Sequence, residues 1–389
     1  MSDIVLSASV RQNLLSLQST AELLSTTQNR LATGKKVNSA LDNPTNFFTA
    51  QSLDSRAGDI NNLLDGIGNG VQVLQAANTG ITSLQKLVDS AKSIANQVLQ
   101  TTVGYSSKST VTSAVAVGPA SNLVDGVGIK SGDTLTIAAT GGGTATSVTF
   151  GASETLDQFN TALAPNNLQA SLDSAGKLVI TTTNDAASST IGAVASSSAG
   201  TVGTAFTALT ATAPVADAAS QATRASLVTQ YNGILKQIDT TSQDASFNGI
   251  NLLAGDNLKL TFNETGKSTL NISGVTFNAA GLGLGAFAAG TDFKDSSSAN
   301  KAIAALSSAS SSLRSQASAL GSNLSIVQIR QDFSKNLINV LQTGSSNLTL
   351  ADTNQEAANS QALSTRQSIA VSALALANQS QQSVLQLLR

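Results

Sequence analysis

At 389 residues the chain is long enough for two or three domains, yet only 11% of it is charged and 3% aromatic. It has no Cys and no His, which excludes a thiol nucleophile, an imidazole base and an ordinary zinc or haem site; catalysis would have to rest on carboxylates, Lys, Tyr, Ser or Thr. A net charge of −2 gives no reason to expect nucleic acid or an anionic membrane as partner, and a core without large rings must draw stability from long contacts or from neighbouring subunits.

The start, Met1-Ser2-Asp3-Ile4, lacks the basic and apolar regions of a secretory signal, and no stretch reads as a membrane span. Val10, Leu14, Leu17, Ala21, Leu24 and Leu31 step by four and three, broken only at Gln28, which predicts a helix with a heptad seam. Gly34 followed by Lys35-Lys36 reads as its stop, and Asp42-Asn43-Pro44 as a turn and restart. The next helix is the clearest periodic signal. Ile60, Leu63, Ile67, Gly70, Leu74, Ala77, Ile81, Leu84, Val88, Ala91, Ala95 and Val98 fill every position of a 3-4 repeat, longer than a usual globular helix and typical of coiled-coil packing. Gly68 and Gly70 either weaken one turn or let two backbones approach; the place of Gly70 in the seam favours approach.

From about Tyr105 to Asp217 the chain turns to Ser, Thr, Ala and Gly, with β-prone runs at Thr134 to Ile137, Ser147 to Phe150 and Lys177 to Thr182. Gly141-Gly142-Gly143 and Asp173 to Gly176 read as turns, and a short helix is predicted near Glu154 to Ala164; together these make a small α+β insert. Helix returns at Ala218 to Ser246, with Leu227, Tyr231, Ile234 and Ile238 on one face. Phe247 to Leu253 precedes a hairpin in which Leu258, Leu260 and Phe262 alternate, Asn263 to Gly266 turns, and Leu270 and Ile272 alternate back. Gly281-Leu282-Gly283-Leu284-Gly285 is weak as a phosphate-cradling loop and reads as a flexible linker.

Ile303, Leu306, Leu313, Ala317, Leu320, Leu324, Val327, Ile338 and Leu341 give another long heptad helix, diluted by Ser310, Gln331 and Ser334 and expected to end at Gly344. From Ser345 to Arg389 there is no glycine or proline, which predicts one helix roughly 65 Å long at about 1.5 Å per residue. Its seam runs through Leu363, Ala370, Ala377 and Val384, with Leu374 and Leu388 four residues further on, and it is interrupted by Gln367 and Gln381. Gln367 to Leu388 carries no charge yet many amides and hydroxyls, as expected of a helix surrounded by other helices rather than by lipid.

The expected fold is therefore mainly α with a β-containing insert: a long antiparallel coiled-coil rod made by both chain ends, a β-hairpin, and an inserted small α+β domain. Thin seams at the ends of a rod imply burial by other copies. The self-assembly residues inferred this way are Val10, Leu14, Leu17, Leu24, Leu31, Leu363, Leu374, Val384 and Leu388. The rod core is inferred to be Ile60, Ile67, Leu74, Ile81, Val88, Leu313, Leu320 and Val327.

Three stretches also resemble a known family. Arg30-Leu31-Ala32-Thr33-Gly34-Lys35-Lys36-Val37-Asn38-Ser39-Ala40 resembles the N-terminal signature of bacterial flagellins, and Phe247-Asn248-Gly249-Ile250-Asn251-Leu252-Leu253 resembles the turn before their hairpin. Ala377-Asn378-Gln379 and Val384 through Arg389 are similar to the family's C-terminal ending. The resemblance covers about residues 1 to 104 and 218 to 389. It implies a homopolymeric, extracellular filament subunit for swimming motility, exported without a cleaved signal peptide by a type III route with an export chaperone, and capped and joined by cap and hook-associated proteins. It further implies that 1–40 and 347–389 form an inner tube, 41–104 and 218–346 an outer tube, and 105–217 a solvent-facing insert. No catalytic, metal or cofactor residue is implied, and neither nucleic-acid binding nor membrane insertion.

Two places depart from the family. Asp42 to Phe48 replaces the commoner run of acidic and small residues, so the joint between inner and outer rods is expected to be built differently. Many flagellins carry two arginines then Glu-Leu late in the long N-terminal helix, a patch read by an innate immune receptor; here Ser90, Lys92, Ser93 and Ile94 stand there, which implies weak recognition. Heptad stripes taken alone fit an ordinary helical bundle as well as a filament. Asp239 and Asp244, or Asp54 and Asp59, are imaginable carboxylate pairs, but solvated helix faces account for them. A carbohydrate-active insert using an acid such as Asp157 or Asp173, and a hook–filament junction protein, are the alternatives. The Ser/Thr-rich insert could carry O-linked sugars or simply be soluble.

Overall fold

The computed structural model describes residues 8–198 and 203–387. The helices are α1 (Ala8–Thr33), α2 (Pro44–Gln100), α3 (Leu156–Leu163), α4 (Ala218–Asp244), α5 (Ser297–Thr349) and α6 (Thr353–Leu387). The strands are β1 (Tyr105–Ser107), β2 (Thr110–Ala116), β3 (Thr134–Ile137), β4 (Thr146–Thr149), β5 (Leu168–Leu172), β6 (Lys177–Thr182), β7 (Val194–Ser197), β8 (Val215–Ala216), β9 (Asn257–Thr261) and β10 (Thr269–Ser273). The chain divides into two compact units. One contains residues 1–70, 259–270 and 326–389, the other 71–258 and 271–325.

In the first unit α1 and α6 pack together, antiparallel, since Arg30 meets Glu356 while Leu23 and Thr27 flank a groove with Leu363. Gly34, at φ +68°, closes α1 in the left-handed conformation that a side chain would resist. The chain then bridges to the far end of α5: Lys36 N donates to Thr349 O at 2.7 Å, Ala351 N donates to Gly34 O at 3.0 Å, and Lys35 pairs with Leu350. That bridge corrects the expected helix boundary. Helix α5 runs through Gly344 to Thr349, and the break falls at residues 350–352, where Asp352 Oδ1 caps α6 by accepting from Asn354 N and Gln355 N. One glycine in a well-packed helix costs only about 1 kcal/mol, so the paired turn and cap, rather than Gly344, decide where the helix stops.

Helix α2 restarts at Pro44 because Asn43 Oδ1 caps Asn46 N at 3.0 Å and proline suits the first helical position. Asp42 Oδ2 accepts from Asn38 N and Ser39 N, each at 2.9 Å, and these bonds hold its carboxyl below the usual range. Ala57 and Ile60 of α2 share a core with Ile338 and Leu341 of α5. Gly70 sits under the hairpin: a Cβ there would overlap the Leu260 methyls, so the close approach is between helix backbone and a strand side chain. Arg56 Nε reaches Glu264 at 2.7 Å at the hairpin turn, and the Arg330 guanidinium lies 5.7 Å from the Phe262 ring centre.

In the second unit β1 pairs with β8, bringing the two ends of the insert together. Two three-stranded sheets follow, in the orders β4-β3-β7 and β2-β6-β5, all antiparallel pairs. Leu135, Ile137, Phe150, Phe159, Leu163, Leu178 and Ile180 are among the side chains of their shared core. Helix α3 begins with a capping box between Thr155 and Gln158. Strands β2, β5 and β7 were not anticipated, because small Ser/Thr/Ala residues carry little alternation.

The α4 face differs from expectation at one position. Leu235 is buried and Ile234 only half-buried, and the face begins at Arg224, 1% exposed. Its guanidinium donates to the carbonyls of Val98, Thr101 and Thr102 at the end of α2, and to those of Phe293 and Asp295. Burial lowers its pKa, with the Asp295 carboxylate opposing. After α4, Asn248 and Gly249 both have positive φ and Phe247 exchanges two 3.0 Å bonds with Ile250, the signature of a type I′ turn. Asn251 Nδ2 then caps the last carbonyls of α4, Ser242 O and Gln243 O. Residues 281–285 are no flexible linker: Leu282 and Leu284 are buried, and Leu284 N donates to Ala279 O.

Candidate assembly surface

Helix α1 buries fewer of its leucines than its sequence suggests. Val10 is 3% exposed and Leu17 and Leu24 are half-buried, but the alternate seam positions are Thr20 and Thr27, both buried. Leu14 and Leu31, expected in that seam, are 37% and 40% exposed. The seam therefore runs through Val10, Leu17, Thr20, Ala21, Leu24 and Thr27, with Leu14 and Leu31 left at its margin. Thr20 can take such a position because its Oγ1 donates to Ser16 O at 2.8 Å, so burial strands no hydroxyl. On α6 Leu363, Gln367, Ala370, Leu374 and Ala377 are half-buried along the expected seam, and Ser360 extends it by one position. The Val384 side chain and Leu388 lie outside the described residues.

This helix pair has polar residues in its seam and large apolar residues among those left outside. Glu356, 8% exposed, is paired with Arg30 at 3.3 Å near the base of the seam, while Leu14, Leu15, Leu23 and Leu31 of α1 and Ile369, Val371 and Leu376 of α6 are exposed. A large side chain gains ~1.5–3 kcal/mol on full burial, so each half-exposed one leaves about 1 kcal/mol unrealised, on the order of 7 kcal/mol over the seven. That is comparable to the lower part of the ~4–15 kcal/mol cost of associating two bodies. Such a pair has a reason to bind several neighbours at once and too little to hold one.

The inferred rod-core residues are all buried. Ile60, Ile67 and Val327 lie in the first unit, and Leu74, Ile81, Val88, Leu313 and Leu320 in the second. Two of the carboxylates singled out as imaginable catalytic acids are used for backbone geometry: Asp239 Oδ1 accepts from Ala279 N at 2.7 Å, and Asp173 Oδ1 from Ala175 N and Lys177 N at 2.8 Å. Among the described residues no group of three potential metal ligands occurs, and no helix is long and apolar enough to cross a membrane.

Comparison with known proteins follows the two helical ends. Residues 5–117 match the bacterial flagellin N-terminal helical region and residues 303–388 the C-terminal helical region; together the two matches span just over half the chain. Helix α4 and the hairpin lie between them. Flagellin FljM and flagellin FljK of Caulobacter vibrioides are each 31% identical over 166 residues, 42% of this chain and 59% of theirs. Flagellin A of Rhizobium meliloti is 37% identical over 87 residues, 22% of each chain. The chain thus spans about three-fifths of the length of the Caulobacter relatives. The N-terminal match contains α1 and the C-terminal match contains α6, the two helices that pack against each other here. Paired ends of this kind, matched in order to the N-terminal and C-terminal helical regions of one structural family, show that the chain belongs to the bacterial flagellin family.

Proposed function

We propose that this chain is the subunit of a bacterial flagellar filament, an extracellular helical polymer of many copies that turns motor rotation into thrust. The observation that carries the reading is the exposure of Leu14, Leu15, Leu23 and Leu31 on α1 and of Ile369, Val371 and Leu376 on α6, spread over several faces of a helix pair whose own seam is half polar. In this reading 1–40 and 347–389 form the inner tube, 41–104 and 218–346 the outer tube, and 105–217 the solvent-facing insert. The assembly residues are those of the two end helices, Val10, Leu14, Leu17, Leu24, Leu31, Leu363, Leu374, Val384 and Leu388. The chain leaves the cell through a type III export apparatus with a chaperone and adds beneath a cap protein, above hook-associated proteins. Innate receptor binding through Ser90 to Ile94 is weak.

The test is seeded growth. Purified chain, dissociated by heat and mixed with short filament fragments, is expected to extend them into filaments of uniform width seen by negative-stain microscopy. Removal of residues 379–389 is expected to stop extension while leaving a soluble, largely helical monomer. A truncated chain that still forms normal filaments refutes the role of the end helix, and a full chain that only caps the seeds identifies a junction protein instead.

A further inference from the structure

The chain contains three Asn-Gly pairs, Asn69-Gly70, Asn232-Gly233 and Asn248-Gly249. Asparagine is among the thermolabile side chains. A following glycine is its most permissive neighbour, because no Cβ shields the glycine nitrogen. Loss of ammonia requires that nitrogen to reach the asparagine Cγ, and the fold treats the three pairs differently. Asn69 and Asn232 lie inside α2 and α4. There the glycine N–H donates to the carbonyl four residues back, so attack would need the helix unwound locally. Asn232 is also held at both ends of its amide: Nδ2 donates to Phe287 O at 2.7 Å, and Oδ1 accepts from Phe287 N at 3.0 Å. Asn248-Gly249 has none of these restraints. Both residues are exposed, both have positive φ, and the space where a Cβ of Gly249 would stand is open. Among the described residues neither the Asn248 side chain nor the Gly249 N–H has a hydrogen-bond partner. The turn is closed by the two 3.0 Å bonds between Phe247 and Ile250, so the rotation that brings Gly249 N to Cγ costs those bonds rather than a helix.

We infer that Asn248 is a self-modification site of the folded chain, converted by water to aspartate and isoaspartate. Base removes the Gly249 amide proton, and the nitrogen forms a bond to Asn248 Cγ. The bond from Cγ to Nδ2 breaks, and the side-chain nitrogen leaves as ammonia after taking a proton. Water then opens the five-membered imide at either carbonyl, which leaves the new carboxylate on the side chain or on the main chain. One water is consumed and one ammonia released, with no oxidant and no enzyme. In the isoaspartate product the backbone runs through Cβ and is one atom longer, so the exchange of bonds between Phe247 and Ile250 cannot keep its register. The place matters, because Asn251, three residues on, caps the last carbonyls of α4 through its Nδ2. Modification at residue 248 therefore loosens the end of that helix. The inference concerns a single folded chain and stands apart from the filament reading.

The test keeps the full chain as folded monomer at mildly alkaline pH and samples it over time. Peptide mass spectrometry reads the gain of one mass unit, and methyl transfer by a protein-isoaspartate methyltransferase reads isoaspartate. The peptide holding Asn248 is expected to gain mass at least tenfold faster than those holding Asn69 and Asn232, and among the three to be the one that accepts methyl groups. In urea, where turn and helices are both gone, the three pairs are expected to react at comparable rates. A folded-state rate at Asn248 no faster than at the helical pairs overturns the site, because the turn then protects it as well as a helix does. Asn248→Gln, whose longer side chain would have to close a six-membered ring, is expected to remove the folded-state signal. A signal that persists in this variant places the modification elsewhere and also overturns the assignment.

Discussion

Replacing Arg224 with Met is expected to destabilise the second unit by about 3–5 kcal/mol, the range for breaking a buried charged network from one side. The guanidinium supplies donors to five carbonyls at 2.7–3.1 Å. Val98 O keeps a second donor, the Thr101 hydroxyl at 2.9 Å, so four acceptors lose the bond described. Each stranded buried acceptor costs about 1–3 kcal/mol, and relief of the arginine's own desolvation offsets part of the sum. Arg224→Lys is expected to fall between, since three donors on one nitrogen cannot span both the end of α2 and residues 293–295. The chain has two tyrosines and no tryptophan, and both Tyr105 and Tyr231 lie in this unit. Urea unfolding of the monomer followed by tyrosine fluorescence therefore reports the region around Arg224. A loss below about 1 kcal/mol for the Met variant would refute the accounting, showing that water or other donors take over these carbonyls.

Gly70→Ala is expected to cost about 1–3 kcal/mol, because the new methyl enters the space of Leu260; Gly58→Ala, with open space at its Cβ position, is the control, and equal melting temperatures for the two would contradict the close approach. Ile67→Asp and Leu320→Asp, at positions no more than 1% exposed, are expected to unfold their surroundings by about 3 kcal/mol or more, whereas Leu14→Asp is expected to leave helical circular dichroism unchanged and block seeded growth. Burial pushes the Tyr231 phenol up to about 12. Its folded value lies above the ordinary 10, so this contribution is complete below pH 10 and is lost as pH rises from there through about 12; Tyr231→Phe is expected to shift the alkaline unfolding midpoint upward, and an unchanged midpoint would count against it.

Periodicity made the α2 seam legible, because nearly every seam position from Ile60 to Val98 is both apolar and buried, and helical spacing unites them. The same rule misplaced two positions of the α1 seam. Apolar identity pointed to Leu14 and Leu31, but a threonine that bonds its own helix backbone, as Thr20 does, can be buried cheaply, which frees leucines for the outside. Arg224 was missed for a related reason: charge argues for solvent, although its spacing of three and seven from Leu227 and Tyr231 places it on the buried face. The α5 boundary was also illegible, since it depends on a bridge between Lys35 and Leu350, which are distant in sequence. Residues 281–285 looked like a linker because glycine dominates them, yet two leucines suffice to pin the turn.

The Arg30–Glu356 pair joins residues 326 positions apart, and Arg224 completes the end of α2 from more than 120 positions away. Order in this chain is therefore assembled late. A ribosome that has released α1 and α2 has not yet made the helix that covers α1 or the donor that finishes α2, and closing such long loops is entropically slow. Helix α1 can complete its packing only once α6, at the far end of the chain, has been made.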